Sequence, residues 1–165
     1  MTSRRPQSPR FLPADAADAT SLCAGWNVRL AARRITRFLD ERMQVTGLSV
    51  AQFGLMAQIA AASDDSLGAL ADRSGLDQST LTRNLQALAR EGLVEIAVVQ
   101  GNQRRRMVWL TETGLFRLQD ALPVWRKAHE ELSQLMDSDM APRLAVASER
   151  LETQPARTGK RKVRV

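Results

Sequence analysis

Between Thr20 and Met43 the apolar residues Leu22, Trp26, Leu30, Ile35, Phe38 and Leu39 recur at helical spacing, with Arg29, Arg33, Arg34 and Arg37 among them. That pattern predicts one long amphipathic helix, ended near Val45-Thr46-Gly47, where glycine supplies the stop. Ser49 then reads as the N-cap of a second helix that holds Phe53, Leu55, Met56 and Ile59. After the polar break at Ser63-Asp64-Asp65, Ser66 opens a short helix closed by Ser74-Gly75. Asp77 caps a fourth helix that runs to Arg90-Glu91 and stops at Gly92.

The period then changes. Leu93-Val94-Glu95-Ile96-Ala97-Val98-Val99 is β-branched and partly alternating, Gln100-Gly101-Asn102-Gln103 is turn-like, and Met107-Val108-Trp109-Leu110 resumes as a strand. Together they predict a hairpin. Thr111 or Thr113 starts a helix to about Met136 with Leu115, Leu118, Leu122 and Trp125 inward and Pro123 as a kink. A last short helix, with Pro142 at an early position, reaches about Leu151. The predicted fold is mainly α with a small β-hairpin, in the order four helices, hairpin, two helices.

Residues 66–111 are therefore a short helix, a glycine turn, a second helix and a basic-tipped hairpin, the layout of a helix-turn-helix followed by a wing. On the second helix of this unit Leu81, Leu85 and Leu88 define the inward stripe. Gln78, Ser79, Thr82, Arg83 and Gln86 are left to point outward, residue types that read base edges in a major groove. The free N–H groups at the start of that helix are expected to attract phosphate. Arg104, Arg105 and Arg106 are consecutive on a strand, so their side chains alternate faces and at least one points away from the body, toward a minor groove or a phosphate.

Charge sharpens this reading once it is placed. The chain of 165 residues carries 24 Lys and Arg against 18 Asp and Glu, a net +6. Residues 1–13 hold three arginines and no acid, and residues 153–165 hold five basic residues and no acid. Both ends also lack hydrophobic periodicity and read as disordered basic tails, the second starting near residue 152. The body between them is slightly acidic, yet its segment 73–111 has six arginines against three acids. A nucleic-acid surface is expected there.

The remaining chemistry is sparse. A 44% hydrophobic, 25% charged composition excludes wholesale disorder, and no stretch matches the roughly 18 apolar residues of a membrane helix. No apolar segment of a secretory signal follows the first residues. The single Cys23 excludes an internal disulfide and fits a reducing, cytoplasmic compartment. One histidine, His129, cannot build a metal site, and no phosphate loop, nucleophile elbow or paired-histidine motif is present. We expect no enzyme activity, no cofactor and no metal. Trp26, Trp109 and Trp125 read as core or interface anchors.

The text SLGALADRSGLDQSTLTRNLQALAREGLV from Ser66, followed by RRRMVWLTETG and preceded by LSVAQFGLMAQI, resembles the winged-helix core of the multiple-antibiotic-resistance regulator (MarR) family. The resemblance spans roughly residues 20–151. It implies a prokaryotic homodimeric repressor or activator that binds double-stranded DNA. Residues 14–48 and 112–151 would form the helical dimerisation region and residues 49–111 the winged helix-turn-helix. It puts Ser79, Thr80, Thr82 and Arg83 at recognition-helix contact positions and Arg104 at a wing position. Many members carry Asp-Arg-Arg at the wing tip, where this chain has Asn102-Gln103-Arg104 and two further arginines, so any of the three can be the one that reaches DNA. The resemblance also implies a small aromatic or anionic effector, for which Trp26 with Arg29 or Arg33 is the candidate site. A first-helix cysteine is a peroxide sensor in some members, where tyrosines hold it. This chain has no tyrosine, and Cys23 reads as a buried structural residue with the sensor as the alternative. Two rival functions stand beside the regulator: an architectural DNA binder driven by the basic tails, and a protein-interaction module built on the same fold.

Overall fold

The computed structural model describes residues 12–64, 66–99 and 102–152, without the side chains of residues 99, 102–105 and 152. The two basic tails lie outside the described residues, except that the first helix already includes Leu12 and Pro13 and the last helix includes Glu152. Apolar periodicity and polar caps produce the helices after Cys23 close to where they are expected, and a helix that the periodicity does not predict precedes them. The helices are α1 (Leu12–Leu22), α2 (Ala24–Met43), α3 (Val50–Ala61), α4 (Leu67–Ser74) and α5 (Gln78–Arg90), followed after the hairpin by α6 (Glu112–Ser133) and α7 (Met140–Glu152). The hairpin is β1 (Val94–Val99) and β2 (Asn102–Leu110), antiparallel, with Val94 opposite Leu110 and Val98 opposite Arg106. Its register slips between Val98 and Val99. No described helix is long and apolar enough to cross a membrane.

Local chemistry accounts for the boundaries. Ser49 accepts from the Gln52 N–H while the Gln52 side chain accepts from the Ser49 N–H, a reciprocal capping box that starts α3. Ser66 Oγ accepts from the Ala69 N–H at the start of α4. Gly75, at φ +61°, ends α4 in the left-handed region that a side chain disfavours. Thr111 takes the cap of α6: its Oγ1 accepts from the Gly114 N–H at 3.0 Å and donates to the Gly92 carbonyl at 2.6 Å.

The expected single first helix is two. The chain is extended at Cys23 (ψ 103°), so α1 and α2 are separate and the cysteine sits between them. The Asn27 side chain secures the break by donating to the Ser21 carbonyl at 2.8 Å. Cys23 is exposed, not buried. The apolar stripe of α2 is also covered only at its C-terminal end: Leu39 and Met43 are buried, whereas Leu22, Trp26 and Leu30 are 81%, 55% and 37% exposed. In α6, Leu118 is buried and Leu122 and Trp125 pack on the core as expected, but Leu115 is exposed.

The described residues form two compact units, one ending at Trp125 and the other beginning at Arg126. The first contains the main core. Met43 and Leu48 meet Phe53, Leu55, Met56 and Ile59 of α3, Leu70 of α4, Leu81, Leu85 and Leu88 of α5, and Leu93, Val94, Val108 and Leu110 of the hairpin. Phe53 stacks on Trp125 at 5.6 Å between ring centroids. An isolated bridge between Ser66 and Met107 ties the start of α4 to β2. The second unit contains α7, whose Leu144, Val146 and Leu151 are exposed.

Candidate nucleic-acid interface

The site is assembled from α4, the turn Gly75-Leu76-Asp77, α5 and the hairpin. Burial of Leu81, Leu85 and Leu88 sets the rotation of α5. With three inward positions held, Gln78, Ser79, Arg83 and Gln86 are exposed, while Thr80 and Thr82 are half-buried on the flanks. Among the described residues Arg83 has no hydrogen-bond or ion-pair partner, so its guanidinium is offered to solvent. Thr82 Oγ1 instead donates to the Gln78 carbonyl at 2.7 Å.

Asp77 does more than cap. Its Oδ1 accepts the N–H groups of Ser79 and Thr80 at 3.0 and 2.9 Å and the Ser79 hydroxyl at 2.6 Å. Its Oδ2 accepts the Thr80 hydroxyl at 2.8 Å. The Ser79 hydroxyl, then the Thr80 N–H and hydroxyl, hold the Asp77 carboxyl well below the usual carboxylate range. This corrects the expectation that free N–H groups at the start of α5 attract phosphate. Two of them are already taken by a carboxylate, whose own charge opposes an incoming anion. The sequence signal was present in Asp77-x-Ser79-Thr80, a carboxylate two and three residues before two hydroxyls, but the spacing alone does not say that all four groups converge.

On the hairpin, inward residues alternate from Val94 and Leu110 at the base through Ile96 and Val108 toward the tip. Val98, opposite Arg106, is 53% exposed, so the core has ended at that level. Arg106 is exposed there. Arg104 and Arg105 belong to β2 by backbone, and their side chains lie outside the described ones. Trp109 braces the hairpin through a 3.0 Å bond from its Nε1 to Glu95 Oε2 across the strands.

The effector candidates are not brought to one place within this chain. Trp26 lines a cavity of about 330 Å³ with Ala19, Thr20 and Cys23. Arg33 lines a separate one of about 870 Å³ with Thr36, Arg37, Asp40 and the Gly47-Leu48-Ser49 turn. Arg29 lines neither. Among the described residues no cluster of three or more metal-ligating side chains occurs.

This geometry has close counterparts. Residues 46–106, from the turn after α2 to Arg106, match the MarR family model. The transcriptional regulator MosR of M. tuberculosis, solved in complex with DNA, is 30% identical, with 79% of this chain and 96% of that chain covered and a TM-score of 0.71. The chain belongs to the MarR family of transcriptional regulators. Two more distant structures share the family fold. A mutant of MarR from E. coli with operator DNA is 21% identical over 87% of this chain and 99% of that one, at a TM-score of 0.67. A MepR–DNA complex of S. aureus is 17% identical over 81% and 99%, at 0.64. No curated protein sequence matches the chain. Within the family frame α4 and α5 are the helix-turn-helix and β1–β2 is the wing.

Proposed function

We propose that this protein is a homodimeric repressor that binds a pseudo-palindromic operator in double-stranded DNA and is released by a small aromatic or anionic effector. The outward face of α5 carries this reading. Arg83 stands exposed with Ser79 and Gln86 on a helix whose opposite face is locked into the core. A guanidinium so placed suits the O6 and N7 acceptors of guanine, and the wing arginines supply a second, phosphate-directed point. The residues read as DNA contacts are Gln78, Ser79, Thr80, Thr82, Arg83 and Arg104 to Arg106. MosR, MarR and MepR were each captured on DNA, which supports the same partner here.

Dimerisation is supported by the apolar residues that each unit leaves in solvent, Leu22 and Trp26 in one and Val146 and Leu151 in the other. A two-fold dimer would place the recognition helices about 34–36 Å apart, one DNA turn. An effector that binds a differently spaced state more tightly would release the operator. Of the three effector candidates, Arg33 borders the larger cavity, beside Asp40, Glu41 and an Arg37 already paired with Glu41, so Arg33 is the group proposed to meet an anionic effector. Arg83→Ala tests the central claim: operator affinity should fall by about 1–3 kcal/mol and base preference should relax at one position. Equal binding by wild type and variant would refute it. The exposure of Cys23 supports a second reading, a thiol switch; alkylation no faster than that of a free thiol dismisses it.

A further inference from the structure

A serine or threonine hydroxyl ordinarily donates or accepts as its partner requires, so in a major groove it reads any base. On α5 that freedom is gone. Ser79 Oγ and Thr80 Oγ1 lie 2.6 and 2.8 Å from the two oxygens of Asp77. An ionised carboxylate only accepts, so both hydroxyl protons point at Asp77 and only oxygen lone pairs remain for an outside partner. The carboxylate cannot swing away without releasing the Ser79 and Thr80 N–H groups that it also caps.

Resting on the DNA reading above, we propose that Asp77 is a positioning residue that fixes the hydroxyl polarity of Ser79 and Thr80, so that α5 meets its operator at these positions as an acceptor and selects the amino group of adenine or cytosine. Adenine N6 and cytosine N4 are the major-groove donors. Guanine O6 and N7 and thymine O4 are acceptors, and against them the locked oxygens are repulsive. The same lock turns both hydroxyls away from phosphate, which also accepts. Recognition by α5 is thereby divided: Ser79 and Thr80 favour bases that donate, and Arg83 favours a base that accepts.

The two carboxylate oxygens are not equivalent, and this supplies the test. Oδ1 accepts three bonds and Oδ2 one, from Thr80. In Asp77→Asn the carbonyl oxygen keeps the Oδ1 place and the cap, since Asn caps as well as Asp. The new amide group faces Thr80 Oγ1 and donates to it, which turns the Thr80 proton outward. Thr80 becomes a donor while Ser79 is unchanged.

Binding sites are to be selected from a random duplex pool with the full chain as wild type, Asp77→Asn, Thr80→Val and Ser79→Ala. The expected result is a shift of about tenfold at a single base pair in Asp77→Asn, from adenine or cytosine toward guanine or thymine. Thr80→Val should flatten preference at the same pair and Ser79→Ala at a neighbouring one. A purely structural cap would lower affinity at every position alike and leave the selected site unchanged, and that outcome overturns the inference alone. If Asp77→Asn loses its helical circular dichroism, the other two variants decide, because both keep the carboxylate cap; an unchanged site in both overturns the inference. If wild type selects no site, the DNA reading falls and this inference with it.

Discussion

Replacing Gly114 by alanine would normally stabilise a helix, by about 0.8–1.0 kcal/mol in a helix interior. At this position the structure reverses the sign. Gly114 lies in the first turn of α6, and a Cβ there falls inside the contact distance of the Leu93 carbonyl oxygen, 2.9 Å from its carbonyl carbon and 3.3 Å from its Cα. The obstacle is backbone, at a residue only 1% exposed, so no side chain can rotate out of the way. To relieve the overlap the start of α6 must move off the start of β1. That movement strains the 3.1 Å bond from the Thr111 N–H to the Leu93 carbonyl and the 2.6 Å bond from Thr111 Oγ1 to Gly92. Overpacking of this kind costs about 1–3 kcal/mol, and each weakened hydrogen bond adds up to about 1 kcal/mol. Set against the helix-propensity gain, the net expectation is a loss of about 2 kcal/mol. Urea denaturation of wild type and Gly114→Ala should show it as a midpoint lower by about 1 M at unchanged slope. A variant as stable as wild type, or more stable, would refute the reasoning that this glycine exists for the close approach of α6 to the hairpin.

Two further predictions concern the interface. Arg106→Ala removes an exposed cation beyond the end of the core, so operator affinity should fall similarly across sequences and the slope of log K against log salt should shrink by about 1, with folding unaffected; an unchanged slope in a salt titration assigns the phosphate contact elsewhere. Because Asp77 is held below the usual carboxylate range, its contribution to stability is present above that range and is lost as pH falls through its folded-state value. Thermal melts of wild type and Asp77→Ala should therefore differ at neutral pH and converge in strong acid, and a difference that persists unchanged below about pH 2 contradicts the assignment.

Much of the winged helix could be read from the chain because its signals are local. The caps at Ser49, Ser66 and Asp77, the glycine ends at Gly75 and Gly92 and the shift to β-branched residues at Leu93 each act within a few residues, and each element begins or ends beside them. The inward stripe Leu81, Leu85 and Leu88 likewise follows from helical geometry alone, and with it the outward placement of Ser79 and Arg83. The first helix was less legible. Apolar spacing runs continuously through Cys23, and periodicity cannot register a single extended residue. Nor can it report how much of an apolar stripe is covered, and so Leu30 and Leu115 are exposed although their spacing pointed inward.

The candidate site divides in the same way. Residue types and helical period by themselves determined which side chains α5 could present. Tertiary structure decided that the hairpin core stops short of Arg106, that Trp26 and Arg33 border different cavities and that α6 packs backbone to backbone at Gly114. The convergence of two hydroxyls and two N–H groups on Asp77 is also decided by the fold, although every residue involved is a near neighbour in sequence. Spacing along a helix specifies direction to within a face. The polarity of a hydroxyl depends on which atom stands within 3 Å of it, and only the folded geometry supplies that.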